Sequence, residues 1–372
     1  MKKQIKRRLA SLLEKSPFPS TLIGPPKRAA WDVPTDAKSS RVITTVETPT
    51  EDLVEPDFLY RLDNEQLRST LIFEIKPLVV ARLAEGRYFQ PTFAVMDRSD
   101  TLLYDYTQGW EVEPRLNNYI FEEIKLPRAR RLAGKSLLLD VRSHSQNYFH
   151  WIIEAMTKIP AAMKAGVALD DISNFLVSSP TKHFHADAFR RLGIAESRIV
   201  DVAQYPHWQC EELIAVSDTR EFLYRTYIDY ARDLFTPSGA SHVRRLFISR
   251  SDAKYRRVSN EEELQPVLKR FGFETVTLSG LTVAEQAALF AGASCIIAPH
   301  GAGLTNFLFC QPGTLVIELH SPYYLKALYW RIASAMNLRY AALLGESPAQ
   351  TDTYDMSISP EVLNETLCRL LG

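Results

Sequence analysis

The second half of the chain alternates short apolar runs with amphipathic stretches of helical spacing. Short apolar runs bounded by Gly or Pro are typical of buried strands, and apolar residues repeated every three or four positions indicate helices. The pattern predicts strands at 245–248, 275–278, 295–298, 314–319 and 339–344, with helices at 260–271, 283–291 and 323–336. Two helices are predicted to open with capping boxes, Ser259 to Glu262 and Thr282 to Glu285. This alternation predicts a doubly wound α/β domain.

The first half carries a weaker version of the same pattern. It predicts a hairpin of 94–96 and 102–104, strands at 135–141, 175–177 and 212–216, and helices at 147–164 and 185–192. Residues 217–242 are expected to be a crossover and linker. We therefore predict an N-terminal α/β domain at 41–235 and a C-terminal Rossmann-like domain at 236–345. Residues 346–372 are expected to form a helix that packs back on the first domain.

The first 40 residues differ in character from the rest. Residues 1–16 are basic, with Ile5, Leu9, Leu12 and Leu13 at helical spacing, and residues 16–40 are rich in proline. A basic amphipathic helix can lie on an anionic membrane surface. It can equally be a solvated helix that packs weakly on its own protein, and the sequence leaves both interpretations open.

Composition narrows the class of protein. The 372 residues suffice for two domains, and 44 Lys and Arg balance 44 Asp and Glu, which argues against a nucleic-acid partner. Four scattered cysteines, without Cys-x-x-Cys spacing, predict a reducing compartment and neither a disulfide framework nor a zinc site. No apolar run reaches the ~20 residues of a membrane span. We also find no cleavable signal peptide.

A glycine-containing turn follows the predicted strand 295–298. It comprises His300, Gly301, Ala302 and Gly303, and it is followed by Leu304, Thr305 and Asn306, where a helix is expected to begin. A strand, a glycine turn and a helix start leave backbone N–H groups directed at an anion, for which a diphosphate is the obvious candidate. The alternative is a tight turn that needs glycine only for its dihedral angles.

Charged residues follow two of the predicted strands of this domain. Arg250 comes directly after strand 245–248, and Lys254, Arg256 and Arg257 follow in a short basic loop. Arginine suits a phosphate, and we assign Arg250, Lys254 and Arg257 to it. Glu318, at the end of another strand, suits the two hydroxyls of a ribose. The alternative for the basic loop is a solvated charge cluster.

In the first domain, three polar residues share one helical face. Asn147, His150 and Glu154 are spaced i, i+3 and i+7, whereas the apolar Trp151, Ile152 and Ala155 lie on the other face. An imidazole four residues from a carboxylate is a suitable general base, because the carboxylate can orient it. Asp140, at the end of the preceding strand, is the rival base. A structural histidine is the alternative.

No Asp-x-Asp pair occurs in the chain. Enzymes of sugar nucleotides that need a metal usually offer such carboxylates to a divalent ion. We therefore expect no metal and no cofactor, with a leaving diphosphate neutralised by arginines and backbone amides.

At these residues the sequence resembles glycosyltransferase family 61. The resemblance spans roughly residues 75–340 and is carried by three motifs: Asn147-Tyr-Phe-His150-Trp-Ile-Ile-Glu154, Arg250-x-x-Ala253-x-x-x-Arg257-x-x-Asn260-Glu261, and His300-Gly-Ala-Gly-Leu-Thr-Asn306 followed by Glu318. It implies two Rossmann-like domains facing across a cleft, the GT-B arrangement. It also implies inverting transfer from a nucleotide sugar, usually without metal.

The resemblance implies the remaining expectations. The donor is expected to be a UDP-sugar bound by the C-terminal domain, and the acceptor a glycan or lipid-linked saccharide on the side of the N-terminal domain. Bacterial members are often linked to capsular or exopolysaccharide synthesis, and the missing signal anchor favours that kind. We expect a cytoplasmic protein, peripheral on the inner face of the membrane if residues 1–16 bind lipid.

Two other functions remain open. A catalytically silent assembly subunit would bind a sugar nucleotide or polysaccharide and tolerate loss of His150. A dinucleotide-dependent oxidoreductase shares the fold class. No strand, however, is followed by Gly-x-Gly-x-x-Gly, since the turn at Gly301 and Gly303 lacks the third glycine.

Overall fold

The computed structural model divides the chain into two compact units. The structure describes residues 25–26, 28–30, 41–47, 53–71, 77–107, 118–123, 125–141, 146–217, 223–237, 239, 242–347 and 349–372. Unit 1 comprises 1–49 and 75–227, and unit 2 comprises 50–74 and 228–372. Both units contain a sheet with helices, which confirms the predicted α/β class.

The elements alternate along most of the chain. The strands are β1 (Arg28–Ala30), β2 (Arg41–Glu47), β3 (Phe58–Tyr60), β4 (Leu78–Ala84), β5 (Arg87–Phe89), β6 (Ala94–Met96), β7 (Thr101–Leu103), β8 (Arg130–Leu138), β9 (Ile172–Val177), β10 (Ile199–Asp201), β11 (His207–Val216), β12 (Arg244–Ile248), β13 (Phe273–Val276), β14 (Ala293–Pro299), β15 (Leu315–His320) and β16 (Arg339–Leu344). The α-helices are α1 (Asn64–Arg68), α2 (Lys158–Lys164), α3 (His183–Arg191), α4 (Arg225–Phe235), α5 (Glu261–Arg270), α6 (Val283–Ala291), α7 (Leu328–Ala335) and α8 (Pro360–Leu371). Residues His150–Ala155 form a π-helix. The 3₁₀-helices are Gln90–Thr92, Tyr104–Tyr106, Tyr119–Glu122, Leu169–Asp171, Glu196–Arg198, Val202–Gln204 and Ala302–Phe309.

Unit 1 is built on a mixed sheet. Its strand order is β1-β7-β6-β5-β11-β8-β9-β10, with β4 also paired to β11 and β2 to β4. Strands β11, β8, β9 and β10 run parallel, as the alternating pattern predicts. The predicted hairpin is also present, since β6 and β7 pair antiparallel. A core of buried apolar side chains, among them Leu83, Leu138 and Leu213, covers the sheet.

Unit 2 is built on a parallel sheet of six strands. Its order is β13-β12-β14-β15-β16-β3, with the early strand β3 at one edge. After β12, the chain adds β13 on one side of β12 and then β14, β15 and β16 on the other. The strand order therefore reverses between β12 and β14. In open α/β sheets, ligands bind outside the carboxyl ends of the strands at such a reversal. This edge is where the sequence places Arg250 and the glycine turn.

Two stretches belong to a different unit from the one expected. Helix α8 packs in the core of unit 2, where Leu363 and Leu367 are buried beside Leu264 and Leu268 of α5, so the predicted packing on the first domain is wrong. Strand β3 lies within the predicted N-terminal domain but pairs parallel with β16 of unit 2. Both departures come from long-range packing, which local pattern does not record.

Three local predictions are corrected. The predicted linker 217–242 contains helix α4. The predicted helix 147–164 is a π-helix followed by α2. At α5 the capping residue is Asn260, without a side-chain cap, and the Ser259 hydroxyl donates to the Met356 carbonyl instead. The capping box of Thr282 and Glu285 is confirmed.

The predicted N-terminal helix, residues 1–16, lies outside the described residues, as does most of the arm to residue 40. Within the described part of the chain, every helix is too short or too polar to cross a bilayer.

Candidate functional site

Strands β12 and β14 bring Arg250 and Gly301 together. Gly301 has an extended backbone, with φ of 170°, so its dihedral angles do not require glycine. A Cβ atom placed on it, however, would collide with the Arg250 guanidinium. A side chain at this position would have to displace the guanidinium, which packs directly on the backbone. The alternative that this turn needs glycine for its dihedral angles therefore does not hold at Gly301.

Arg250 is held by its own loop. Its Nε and one terminal nitrogen donate to the Tyr255 carbonyl at 3.2 and 2.9 Å. Burial, with repulsion from Arg256, lowers the pKa of Arg250, although the guanidinium stays charged. Among the described residues these hydrogen bonds go to one carbonyl, and the other N–H groups of the guanidinium can donate to an anion.

The turn at Gly301 leads into the 3₁₀-helix Ala302–Phe309. Ala302 and Gly303 are half-exposed, and the N–H groups at a helix start lack partners within the helix. The expected set of amides is smaller than predicted. Leu304 N–H already donates to the Gly301 carbonyl at 2.9 Å, and Thr305 is buried. The Asn306 amide is also buried, donating to Gln286 Oε1 at 2.7 Å, so it fixes the turn.

Glu318 is placed differently from the prediction. It is fully buried within β15, and its two oxygens accept hydrogen bonds from His300 Nδ1 and the Tyr340 hydroxyl, each at 2.6 Å. Burial would raise the pKa of Glu318, but His320 and His300 lower it to about 2. Burial lowers the pKa of His300 to about 4, against the opposing effect of Glu318. An ionised Glu318 thus holds a neutral His300, and we assign it no contact with ribose.

Three buried side chains lie close enough together to bind a metal ion: His300, Glu318 and His320. One ligand atom from each lies within 4.8 Å of the others. In this structure the Glu318 carboxylate is engaged by His300 and Tyr340, so a metal would have to replace both hydrogen bonds. The cluster is best described as a buried hydrogen-bond network that fixes His300.

The basic loop separates into residues with different partners. Arg257, expected to bind phosphate, forms an ion pair with Asp355 at 2.9 Å. Lys254 is exposed, with its ammonium 5.1 Å from the centre of the Tyr255 ring. Arg256, which the sequence places in the same basic loop, donates from Nε to the His300 carbonyl at 3.0 Å. The residue types of the loop do not distinguish Arg256 from Arg257. The backbone conformation decides which way each side chain points.

In unit 1, His150 and Glu154 lie on the π-helix. The Nδ1 atom of His150 is 2.9 Å from Oε1 of Glu154, as expected for a carboxylate that orients an imidazole. The helix widens here, since Met156 N–H donates to the Trp151 carbonyl, five residues back. Such single-turn π-helices are frequent at functional sites. The His150 side chain is 25% exposed and that of Glu154 only 2%.

The other two expected residues of unit 1 have local partners. Asn147 accepts from the Phe149 N–H at 2.9 Å through its side chain and thus shapes the start of this helix. Asp140 is buried, and its Oδ2 accepts hydrogen bonds from the hydroxyls of Tyr88 and Ser178, both at 2.7 Å. Burial raises the pKa of Asp140, although Ser178, Tyr88 and Lys158 oppose it. These contacts favour a structural role over that of the rival base.

Comparison with known proteins gives a match to one protein family. Residues 148–317 match the family model described as Glycosyltransferase 61. This match confirms the resemblance to that family on which the sequence-based predictions rest. It includes His150, Glu154, Arg250 and the glycine turn, and it ends one residue before Glu318.

A curated protein from rice, Oryza sativa subsp. japonica, is also similar. It is the β-1,2-xylosyltransferase XAX1, 26% identical over 238 residues. The alignment covers 56% of this chain and 41% of the rice protein, so this chain spans well under half of that protein's length.

Proposed function

We propose that this protein is a glycosyltransferase that moves a sugar from a nucleotide sugar to a hydroxyl of a saccharide acceptor. The observation that carries the proposal is the Arg250 guanidinium packed on Gly301, at the point where the sheet of unit 2 reverses its strand order. A cation and backbone amides at that edge suit a diphosphate. The family match supplies the reaction class.

The donor is assigned to unit 2. Arg250 and the amides of Gly301, Ala302 and Gly303 hold the diphosphate, where each charge-assisted bond contributes on the order of 1.5–3 kcal/mol. His300 and Glu318 fix the turn from beneath, since the imidazole is hydrogen-bonded to the buried carboxylate. These groups stabilise the charge that develops on the diphosphate as its bond to the sugar breaks.

The base is assigned to His150 of unit 1. With Nδ1–H donated to Glu154, the Nε2 atom carries the lone pair that accepts a proton. The acceptor hydroxyl oxygen bonds to the anomeric carbon while its proton passes to Nε2. The bond from the anomeric carbon to the diphosphate breaks, and its electron pair leaves with the nucleotide. A single displacement of this kind inverts the anomeric configuration. The GT-B arrangement implied by the family resemblance belongs to the same proposal.

The finer expectations belong to the same proposal. Transfer proceeds without a metal ion, because the chain lacks Asp-x-Asp and the cluster at Glu318 is engaged internally. A UDP-sugar is the donor, and the rice xylosyltransferase directs attention to a pentose such as xylose. The acceptor is a glycan or lipid-linked saccharide of surface polysaccharide synthesis in the cytoplasm.

The first test measures nucleotide binding by the purified full chain. A ligand that binds only the native state, at 100 times its dissociation constant, stabilises it by ~2.7 kcal/mol, which a thermal-shift panel of nucleoside diphosphates detects. We expect UDP to stabilise the protein more than uridine. Transfer is then measured as UDP released from UDP-xylose and UDP-hexoses, with and without saccharide acceptors. Binding without transfer for any acceptor would favour the silent subunit, and no binding would refute the donor site.

A further inference from the structure

Two guanidinium groups lie against the same short piece of backbone. Arg250 packs on Gly301, and Arg256 donates from Nε to the carbonyl of the preceding residue, His300, at 3.0 Å. Burial and then repulsion from Arg256 lower the pKa of Arg250, while Tyr329, Asp252 and Asp355 oppose the shift. Like charges brought together in a half-buried place destabilise each other unless an anion joins them.

Their hydrogen bonds do not provide that anion. Among the described residues, Arg250 bonds to the Tyr255 carbonyl and Arg256 to the His300 carbonyl. The neighbouring Arg257, by contrast, is neutralised by the Asp355 carboxylate through two hydrogen bonds. In this loop, Arg250 and Arg256 donate hydrogen bonds to backbone carbonyls beside the glycine turn, whereas Arg257 donates to a carboxylate.

The backbone of Arg256 is held in an unfavourable conformation. Its φ is +56°, in the left-handed region that a side chain of this size rarely adopts. Its N–H donates to the Thr353 carbonyl at 2.7 Å, and the next N–H, of Arg257, donates to Asp355 Oδ1 at 2.8 Å. The guanidinium lies 4.6 Å from the centre of the Tyr324 ring. Strain of this kind persists where surrounding contacts enforce it, and it is concentrated at functional sites.

We propose that Arg256, positioned by Asp355, is the second cation of the nucleotide site and that the Arg250–Arg256 pair selects nucleotides with two phosphates over those with one. The proposal rests on the function proposed above. A diphosphate offers oxygens to both guanidinium groups at once, whereas a monophosphate leaves one of the two repelling cations without a counter-charge. Arg257 has no part in binding, and its ion pair with Asp355 holds the loop.

The test uses Arg256→Gly in the full chain. Glycine adopts a φ of +56° without strain, so this variant removes the guanidinium while retaining or improving the fold. Arg244→Gln is the matched control, because it removes one cation from the amino end of β12, the strand that leads into this loop, where Arg244 pairs with Glu274. Calorimetry gives the affinities of UDP and UMP, with GDP, GMP, ADP and AMP in parallel, and a thermal melt without nucleotide verifies the fold.

We expect the wild type to bind the diphosphate more tightly than the monophosphate. Arg256→Gly should weaken diphosphate binding about 10- to 100-fold with a much smaller effect on the monophosphate, and Arg244→Gln should change neither. Arg256→Lys should retain part of the discrimination. Asp355→Asn should reduce it through the loop, with the diphosphate affinity falling between those of wild type and Arg256→Gly.

The failures are distinguishable. If the wild type binds no nucleoside diphosphate better than its nucleoside, the proposed donor site itself is wrong. If the wild type discriminates and Arg256→Gly keeps the same ratio of affinities, the donor site stands and the role of Arg256 is refuted. Loss of discrimination in Arg257→Gln but not in Arg256→Gly would assign the second cation to Arg257.

Discussion

His150 lies one turn of a π-helix before Glu154, and the two side chains differ in solvent exposure. The imidazole is partly exposed, while the carboxylate that meets its Nδ1 at 2.9 Å is buried. A buried carboxylate that contacts one nitrogen leaves the other nitrogen directed outward. This is the arrangement in which an imidazole can receive a proton from a bound acceptor.

The first prediction concerns this pair. His150→Ala should lower the turnover number by about 10²–10⁴-fold, the usual contribution of a general base, with donor affinity nearly unchanged. Glu154→Gln should lower the turnover number by a smaller factor, because Glu154 orients the imidazole and does not itself take the proton. Turnover is measured at saturating UDP-sugar and acceptor on variants shown to be folded.

Asp140→Asn is the control in this series. Because Tyr88 and Ser178 both donate to the Asp140 carboxylate, its loss should lower thermal stability more than turnover of the folded fraction. Near-normal turnover in His150→Ala together with collapse in folded Asp140→Asn would move the base to Asp140.

A second prediction separates two roles of glycine. Gly301→Ala should weaken nucleoside diphosphate binding about 10- to 100-fold, because the new methyl group displaces the Arg250 guanidinium. Its φ of 170° suits alanine, so the melting temperature should hardly change. Gly313→Ala is the converse. At Gly313, φ is +83°, so alanine should lower the free energy of unfolding by roughly 1–2 kcal/mol. An added Cβ would meet no other atom, so the affinity for nucleoside diphosphates should stay the same. Equal affinity losses in both variants would contradict this assignment.

The third prediction concerns pH. The pKa of His300 is about 4 in the folded protein and 6.5 in the unfolded chain, so between these values the unfolded state binds more protons. The free energy of unfolding should therefore fall as pH is lowered from about 6.5 towards 4, by up to ~3 kcal/mol. Chemical denaturation at several pH values measures the slope. His300→Asn should flatten it, and substitution of the exposed His183 should not.

The fourth prediction is that transfer survives excess EDTA. The Glu318 carboxylate is engaged by His300 and Tyr340, and the chain lacks Asp-x-Asp. Turnover after chelation should equal that before it, and elemental analysis of the purified protein should find well under one divalent ion per chain. Activity lost on chelation and restored by Mn²⁺ or Mg²⁺ would identify a metal requirement.

The fifth prediction concerns residues 1–16, which lie outside the described residues. Their basic side chains and their leucines at helical spacing suit an anionic lipid surface. The full chain should co-sediment with vesicles that contain anionic lipid, less so at high salt, and not with neutral vesicles. If a chain lacking residues 1–16 sediments equally, the membrane role of this segment is refuted.

The sequence predicted most of unit 2 because its strands are long enough, apolar and separated by amphipathic helices. Helix 283–291 and strand 339–344 have the predicted bounds, and the other predicted strands and helix 260–271 differ by at most two residues at either end. The predicted helix 323–336 is shorter, since it begins only at Leu328. Strand β3 was missed, since its place beside β16 is settled by tertiary pairing and by no signal of its own.

The candidate site was predicted less completely, for two physical reasons. The sequence predicts that Glu318 lies at a strand end. In the structure β15 continues to His320 and is buried throughout, so the carboxylate is hydrogen-bonded to side chains of its own unit. Arg256 and Arg257 are alike in sequence, and the positive φ of Arg256 directs them to different partners. By contrast, the contact of His150 with Glu154 followed from their spacing alone, because residues four apart on a helix meet.

The assignment of 53–71 to unit 2 has a consequence during synthesis on the ribosome. Val54 N–H donates to the Ser334 hydroxyl, 280 residues later, and β3 adds to a sheet whose other strands all follow residue 243. The early segment must therefore wait, exposed, until nearly the whole polypeptide has emerged. Closing so large a loop is slow relative to local folding. A fragment beginning at residue 228 would lack β3 and leave β16 as an exposed edge strand, which can pair with another chain and aggregate.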